Sequence, residues 1–285
     1  MLSCLFAIAI HGLLLLIGVS FGLAFYGKPV WGLPPDRAAV LLSIVIMGAL
    51  LLVSLTPVGA WILRWQMGCR RPTPQENAFL WPAWQFVCLA AGYDPASFRL
   101  YVIDGPVNNA FAIGSNTIAV TVACLYGTSD RELRGVLAHE LGHHVNNDTL
   151  WMAMTATAEH IGISVYNFIA FLSRIVGVLA IIPLVGFVAA LITIIIKLIL
   201  TVFDFIVLGA WRLGYFWGSR QNEYAADRYA AQIGFADGLA SYLDKYGDKQ
   251  AGWFAWIEAL KSTHPGAGER VKKLRKYSRE ALRNA

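Results

Sequence analysis

The chain has 285 residues, of which 57% are hydrophobic and 14% are charged, and it carries a formal net charge of +5. Soluble globular proteins have about 25% charged residues, so this composition argues against a fully soluble enzyme and predicts that part of the chain contacts lipid. The four cysteines form no Cys-x-x-Cys pair, which argues against a disulfide framework or a thiolate zinc site, and the basic residues lie beside apolar runs rather than in a motif for nucleic acid.

Two apolar segments near the N-terminus predict membrane-spanning helices. Leu2–Tyr26 is long enough to cross a bilayer, which takes about 20 residues. A signal peptide is the competing interpretation, but the segment has no basic start and no convincing cleavage site, so we expect it to be retained. Ala38–Leu63 is the second predicted span. Arg64, Arg70 and Arg71 follow it, and by the positive-inside rule the next part of the chain starts in the cytoplasm.

The following polar stretch predicts a small α+β unit. Gln75–Ala91 predicts a helix that is bent or started late at Pro82. Ser129 and Glu132 form a capping box that predicts the start of a later helix. Three segments between the two helices predict strands, the last two joined as a hairpin: Arg99–Ile103, Asn109–Ile113 and Thr117–Val122.

A long apolar segment and a basic helix complete the chain. Residues 159–217 are too long for one crossing, and Pro183 and Gly186 near the middle predict a break between two spans. The C-terminal segment Glu269–Arg283 predicts a basic amphipathic helix. This helix is either a contact for anionic lipid or a solvated face.

The motif His139-Glu140-Leu141-Gly142-His143 lies in the helix that the capping box begins. Histidines four residues apart lie on one helix face, so both imidazoles can bind one zinc ion while Glu140 lies beside it. Zinc lowers the pKa of a bound water to about 7, and the glutamate can take its proton as a peptide carbonyl is attacked. Because this pattern also occurs by chance, the motif alone does not decide the function.

A catalytic zinc needs a third protein ligand, and the segment 222–228 offers one. Glu223 and Asp227 are four residues apart on a predicted helix and therefore face the same way. We expect Glu223 to bind the metal and Asp227 to orient a ligand histidine through a hydrogen bond. His144 points to a different helix face and is expected to be structural or exposed to solvent.

Four pieces of this sequence, in order, resemble the HtpX-type and CAAX prenyl-protease-type membrane zinc metalloproteases, which are HExxH-plus-Glu (gluzincin) peptidases. They are Asn109–Ala112, His139–His143, Glu223–Asp227, and Ser262–Pro265 followed by Glu269 and Arg270. The resemblance spans about residues 75 to 274. It implies one Zn²⁺ per chain, polypeptide substrates, a lipid bilayer as the surroundings and an inner (plasma) membrane location.

The resemblance also implies roles for two further segments. Asn109, Ala110, Phe111 and Ala112 correspond to the substrate-binding edge strand, which pairs with an extended peptide through its main chain. For Phe111, a buried hairpin strand is an equally good interpretation. His264 is implied to be an active-site histidine that supports the oxyanion or transiently covers the zinc, and the alternative is an ordinary turn residue before a proline.

The ligand set constrains the topology, because Glu223 must reach the side of the membrane where His139 and His143 lie. An even number of crossings must separate the ligands, so we expect four spans in total, with both termini and the zinc site in the cytoplasm. The predicted fold is α+β, mostly α, with a four-helix transmembrane region and a cytoplasmic gluzincin-like protease domain. The helices are assigned to 1–69 and 159–217, and the two parts of the domain to 70–158 and 218–285.

The predicted function is a membrane-integrated zinc endopeptidase that cleaves misfolded or membrane proteins at the cytoplasmic face, as in HtpX-like quality control. One alternative is a processing protease for a defined peptide such as a prenylated C-terminus, which would need more spans to enclose a chamber. The other is a non-proteolytic membrane protein whose structural zinc holds His264 as a permanent ligand. The oligomeric state is not predicted, nor is a role for Lys197 or Asp204.

Overall fold

The computed structural model of the protein describes residues 2–178, 181, 185–202, 209–247 and 266–284. The chain divides into two compact units. One unit consists of Met1–Ser54 and Met154–Tyr215, and the other consists of Leu55–Ala153 and Phe216–Ala285. The described part of the first unit is helical, and the second unit contains the β-sheet together with the HExxH motif.

Three helices in the described part of the chain are long and apolar enough to cross a membrane: α1 (Leu2–Tyr26), α2 (Pro35–Ser54) and α7 (Asp148–Val178). Helix α8 (Val185–Val202) carries a shorter apolar stretch, Val185–Leu198. The helix predicted for the first span, Leu2–Tyr26, is confirmed at both ends. Since α7 begins at Asp148, the apolar stretch predicted from residue 159 onward is the continuation of a longer helix.

The second predicted span, Ala38–Leu63, is wrong in its last third. Helix α2 ends at Ser54, and a separate helix, α3 (Pro57–Gln66), begins after two intervening residues. Thr56 has an extended backbone (φ −89°, ψ 167°), and its side-chain oxygen accepts hydrogen bonds from the amides of Val58 and Gly59. A proline disfavours helical backbone at the preceding residue but fits the first turn of a new helix, so Pro57 ends one helix and begins the next.

In the described residues, the second unit contains a sheet of four strands: β1 (Cys69–Arg70), β2 (Arg99–Ile103), β3 (Ala110–Ile113) and β4 (Thr117–Thr121). Their order in the sheet is β1-β2-β4-β3. Strands β2 and β4 are parallel, and β3 and β4 form an antiparallel hairpin whose turn contains Gly114 at φ +58°. Strand β3 is therefore at one edge of the sheet. The three predicted strands are confirmed, with a short additional β1.

Helices α4 (Pro74–Ala91), α5 (Val122–Gly127) and α6 (Asp130–Val145) belong to the same unit as the sheet. The late start predicted at Pro82 is wrong, because Thr73 and Glu76 form a capping box that begins α4 at its N-terminal end, and the helix continues through the proline. The start of α6 is confirmed, with the predicted capping box of Ser129 and Glu132 in place. Apolar residues of α4, α6 and the sheet share one buried core.

Within the described residues, three helices follow toward the C-terminus: α9 (Gly209–Gln232), which belongs to the second unit from Phe216 onward, α10 (Ala236–Tyr246) and α11 (Ala267–Asn284). Gly142 on α6 lies so close to α9 that an added Cβ would be 2.9 Å from the Cα of Ala226. Any larger residue would separate the two helices. The glycine inside the HExxH motif therefore lets α9 approach the histidines.

Candidate metal centre

The three predicted metal ligands come together in the second unit. His139 and His143 project from adjacent turns of α6, and Glu223 projects from α9, one turn before the Ala226 contact. The Nε2 atoms of the two histidines are 3.2 Å apart. The distance from His139 Nε2 to Glu223 Oε2 is 3.4 Å, and that from His143 Nε2 to Glu223 Oε1 is 3.7 Å.

These distances match what a tetrahedral zinc ion requires. Ligand atoms that lie 2.0–2.1 Å from such an ion are about 3.3 Å from one another. All three side chains are buried, so their orientations are set by packing. Two nitrogens and one carboxylate oxygen are also the ligand types of catalytic zinc sites, which keep a further position for water.

Each histidine contacts a second carboxylate through its other ring nitrogen. Asp227 Oδ1 lies 3.0 Å from His139 Nδ1, which is the contact expected for this residue. Asp148 Oδ2 lies 3.1 Å from His143 Nδ1. A carboxylate at Nδ1 keeps the proton on that nitrogen and leaves the Nε2 lone pair for a metal.

Asp148 was missed by the sequence analysis. It stands five residues after His143 at the first position of α7, where an aspartate ordinarily stabilises the helix N-terminus. No helical spacing connects it to the motif, because the chain turns at Asn146 and Asn147 between the two helices. Only that turn brings its carboxylate back to the imidazole.

The surroundings of His139 favour positive charge. Burial lowers the pKa of this imidazole, but hydrogen bonds to Asp227 and Glu223 outweigh that effect and raise the pKa to about 10. A bound cation would add positive charge at the same place. An environment that stabilises a proton on this ring therefore also suits a divalent metal ion.

Arg270, which the sequence analysis placed in a basic helix and in the fourth piece of the family resemblance without giving it a role, is a member of the site. Its Nη1 forms an ion pair with Glu223 Oε2 at 2.8 Å, and its Nε and Nη2 donate hydrogen bonds to Asp227 at 2.8 and 2.7 Å. Burial lowers the pKa of the guanidinium, but the two carboxylates outweigh it and raise the pKa above the usual arginine value. Arg270 thus balances the charge of both acids and holds them in place.

A signal for Arg270 was present in the sequence. On α11 it lies one turn before Leu274 and next to Val271, and both of these residues are buried. An arginine on the apolar face of an amphipathic helix is rarely buried without a carboxylate partner. The other basic residues of this helix whose side chains the structure describes are more exposed than Arg270.

Glu140 has the properties expected of a general base. Its side chain is buried next to the histidines, and it makes no hydrogen bond or ion pair within the described residues. Within the described residues, its carboxylate is therefore not held by another side chain. His144 was predicted to be either structural or exposed to solvent. It is structural, because its Nε2 lies 2.9 Å from the carbonyl oxygen of Thr117.

The predicted substrate-binding residues lie at the sheet edge, and β3 contacts the HExxH helix α6. Asn109 precedes the strand; its backbone bonds to Thr121, and its side-chain oxygen accepts from the amide of Ala110 at 2.9 Å. The side-chain NH₂ of Asn109 is then the group that can donate to a substrate. Phe111 and Ala112 are half-buried.

Three sequence features remain: His264, Asp204 and Lys197. His264, with the surrounding segment Ser262–Pro265, is outside the residues that the structure describes, and so is Asp204. Lys197 is exposed on α8. The assignment of His264 stays a prediction.

Comparisons with known proteins cover most of the chain. The family model "Peptidase family M48" matches residues 65–278. A protein named "Protease HtpX homolog" from Bacillus pumilus is 27% identical over 246 residues, which are 75% of this chain and 77% of that protein. A protein of the same name from Burkholderia multivorans is 32% identical over 208 residues, which are 64% of this chain and 68% of that protein.

A solved structure is also similar. The crystal structure of S. mikatae Ste24p matches with a TM-score of 0.54 at 17% sequence identity. The match covers 94% of this chain and 63% of the length of that chain. At this identity the likeness concerns the fold alone.

Proposed function

The chain belongs to peptidase family M48 and is a membrane metallopeptidase, and from this premise we propose that it is a zinc-dependent endopeptidase acting on misfolded or membrane proteins at the cytoplasmic face of the inner membrane. The family resemblance predicted from the four sequence pieces is confirmed. The observation that carries the zinc assignment is the spacing of 3.2 to 3.7 Å among the ligand atoms of His139, His143 and Glu223.

Each group of the site has a defined task in this proposal. His139, His143 and Glu223 would hold the zinc, which when bound would act as a Lewis acid and lower the pKa of a bound water to about 7. Glu140 takes the proton from the attacking water and passes it to the leaving amine. Asp227 and Asp148 hold the two imidazoles through Nδ1. The edge strand β3 holds the substrate extended through main-chain hydrogen bonds, which tolerates many sequences and suits unfolded polypeptides.

Zinc content and proteolysis are expected to depend on Glu223. The purified chain in detergent should contain one zinc per molecule and cleave unfolded casein, and a chelator should stop cleavage until zinc is restored. Glu223→Ala should lose most of the zinc and the activity, because two imidazoles alone form an incomplete site. The measurements are metal analysis and gel-based cleavage, with casein compared against a natively folded protein.

The exposed Glu280 provides the matched control, since Glu280→Ala also removes a glutamate from a helix. This variant should keep both the zinc and the activity. Zinc binding without any cleavage of casein by the unaltered chain would contradict the proposal and favour the non-proteolytic alternative. Equal cleavage of folded and unfolded substrates would contradict the quality-control role.

We propose four spans, with α8 as the fourth. The ligands on α6 and α9 must lie on one side of the membrane to bind one metal ion, which requires an even number of crossings between them. Arg64, Arg70 and Arg71 after the second span support a cytoplasmic site. An alkaline phosphatase fusion at the C-terminus should be inactive, and one at Trp31 between α1 and α2 should be active. The opposite pattern would overturn this orientation.

A further inference from the structure

Helix α3 exposes an apolar stripe that the proteolytic site does not use. Val58, Trp61 and Trp65 are 55%, 59% and 73% exposed. Their spacing of three and four residues places them on one helix face. Soluble surfaces rarely carry two exposed tryptophans side by side, so such a stripe indicates a contact.

The opposite face of α3 is attached to the sheet of the protease unit. Gly59 and Ala60 are buried, and the Ala60 Cβ lies 2.9 Å from where a Cβ on Gly114 would be. Arg64 Nη1 donates to Thr117 Oγ1 at 3.3 Å, and its guanidinium lies 5.2 Å from the ring centre of Tyr101. Helix α3 is therefore held against the β3–β4 hairpin, with the stripe facing outward.

The occupant that fits the stripe is the headgroup layer of the bilayer. Only Leu55 and Thr56 separate α3 from the end of α2, a helix long and apolar enough to cross a membrane. Ser54 and Pro57 are three Cα–Cα steps apart, or at most roughly 11 Å, so chain connectivity keeps the start of α3 close to the end of that span. Tryptophan is the residue most typical of membrane–water interfaces, where its ring lies at the level of the headgroups.

We propose that the stripe of Val58, Trp61 and Trp65 lies in the membrane interface and thereby holds the substrate-binding strand β3 next to the bilayer surface. The hairpin turn at Gly114 rests on α3, and β3 extends four residues from it, or roughly 13 Å. The site then takes peptide segments that emerge directly from the membrane. This substrate class rests on the proposed peptidase function, whereas the location of the stripe does not.

Tryptophan fluorescence of the full chain in vesicles tests the location. Lipids brominated near the headgroup should quench Trp61 and Trp65, so the double variant Trp61→Phe/Trp65→Phe should lose lipid-quenchable emission. Trp81→Phe is the control, because Trp81 lies on α4 and is partly buried against the core. The emission lost in this variant should not be quenched by the brominated lipids. Acrylamide, which is dissolved in the water, is the second quencher and detects tryptophans that face the water.

Two results would overturn the location. If the emission lost in the double variant is quenched by acrylamide but not by lipid, the stripe faces water. If neither quencher reaches it, a protein partner or a second copy of the chain covers the stripe.

Cleavage of anchored substrates tests the substrate class. In vesicles, the unaltered chain should cleave a site about 10 Å from the bilayer roughly tenfold faster than one about 40 Å away, since attachment beside the surface raises the effective concentration of near segments. Trp61→Ser/Trp65→Ser should lose this preference and still cleave soluble casein in detergent at a similar rate. Equal rates at both distances, with casein cleavage intact, would overturn the inference. Failure of the unaltered chain to cleave casein would instead reject the proposed function and leave the quenching result standing.

Discussion

Replacing Glu140 with glutamine is expected to stop peptide hydrolysis while the chain keeps its zinc and its fold. Glutamine has nearly the same shape but cannot take a proton from the attacking water. General acid–base catalysis typically contributes about 100-fold to 10,000-fold, so cleavage of casein should fall by at least about 100-fold. Glu140 makes no hydrogen bond or ion pair within the described residues, so its change removes no structural contact.

The measurements for Glu140→Gln are zinc content, thermal unfolding and casein cleavage on the same preparation. Asp130→Asn provides a matched control, because it makes the same carboxylate-to-amide change at an exposed position of the same helix. The control should retain full activity. Normal cleavage by Glu140→Gln would reject Glu140 as the general base, and loss of zinc in this variant would show that it acts on metal binding instead.

Replacing Arg270 with leucine is expected to destabilise the protease unit more than any surface change in α11. The variant leaves Glu223 and Asp227 as buried carboxylates without their cation. Removing one partner of a buried ion pair typically costs about 3–5 kcal/mol, which corresponds to a fall in the unfolding midpoint of roughly 10 °C. Arg270→Lys keeps the charge but loses the forked geometry, so an intermediate fall is expected.

Metal dependence separates this electrostatic effect from a simple packing defect. Because zinc supplies positive charge beside the same carboxylates, it should raise the unfolding midpoint more in Arg270→Leu than in the unaltered chain. Arg275→Leu is the matched control on the same helix, since Arg275 forms an exposed pair with Asp244 and such pairs contribute about 0–1 kcal/mol. If Arg270→Leu and Arg275→Leu unfold at the same temperature, the structural role of Arg270 is rejected.

The structure changes how the C-terminal helix is understood. As a sequence, the helix presents many cations and offers two interpretations, a lipid contact or a solvated face. In the fold, Arg270 is one cation that serves neither purpose, because it lies beside Leu274 on the buried face. Charge counts treat all basic residues alike. Helical spacing and burial distinguish the one that contacts the site.

The second predicted span shows that apolar composition alone does not predict where a helix ends. Ala38–Leu63 has the hydropathy of one long helix, and hydropathy alone does not register the extended backbone at Thr56. The proline after Thr56 was the available signal. The separate helix α3 that results carries the tryptophans of the proposed interfacial stripe. A local break therefore converts part of a supposed span into a surface helix.

The sequence by itself determined the elements that depend on neighbours along the chain. Helical spacing placed His139 and His143 on one face, the same spacing paired Glu223 with Asp227, and the capping box at Ser129 began the helix where expected. These features need only a few consecutive residues, because backbone geometry fixes which side chains lie together within one or two turns.

The tertiary structure alone decided the contacts that join distant segments. Asp148 reaches His143 across a turn, Arg270 reaches Glu223 from another helix, and Gly142 allows α6 and α9 to approach closely. Such contacts follow from how whole helices pack and from the requirement that buried charges find partners. No local sequence pattern encodes helix packing or the pairing of buried charges. The sequence therefore identified the predicted metal ligands, whereas the fold identified the groups that hold them.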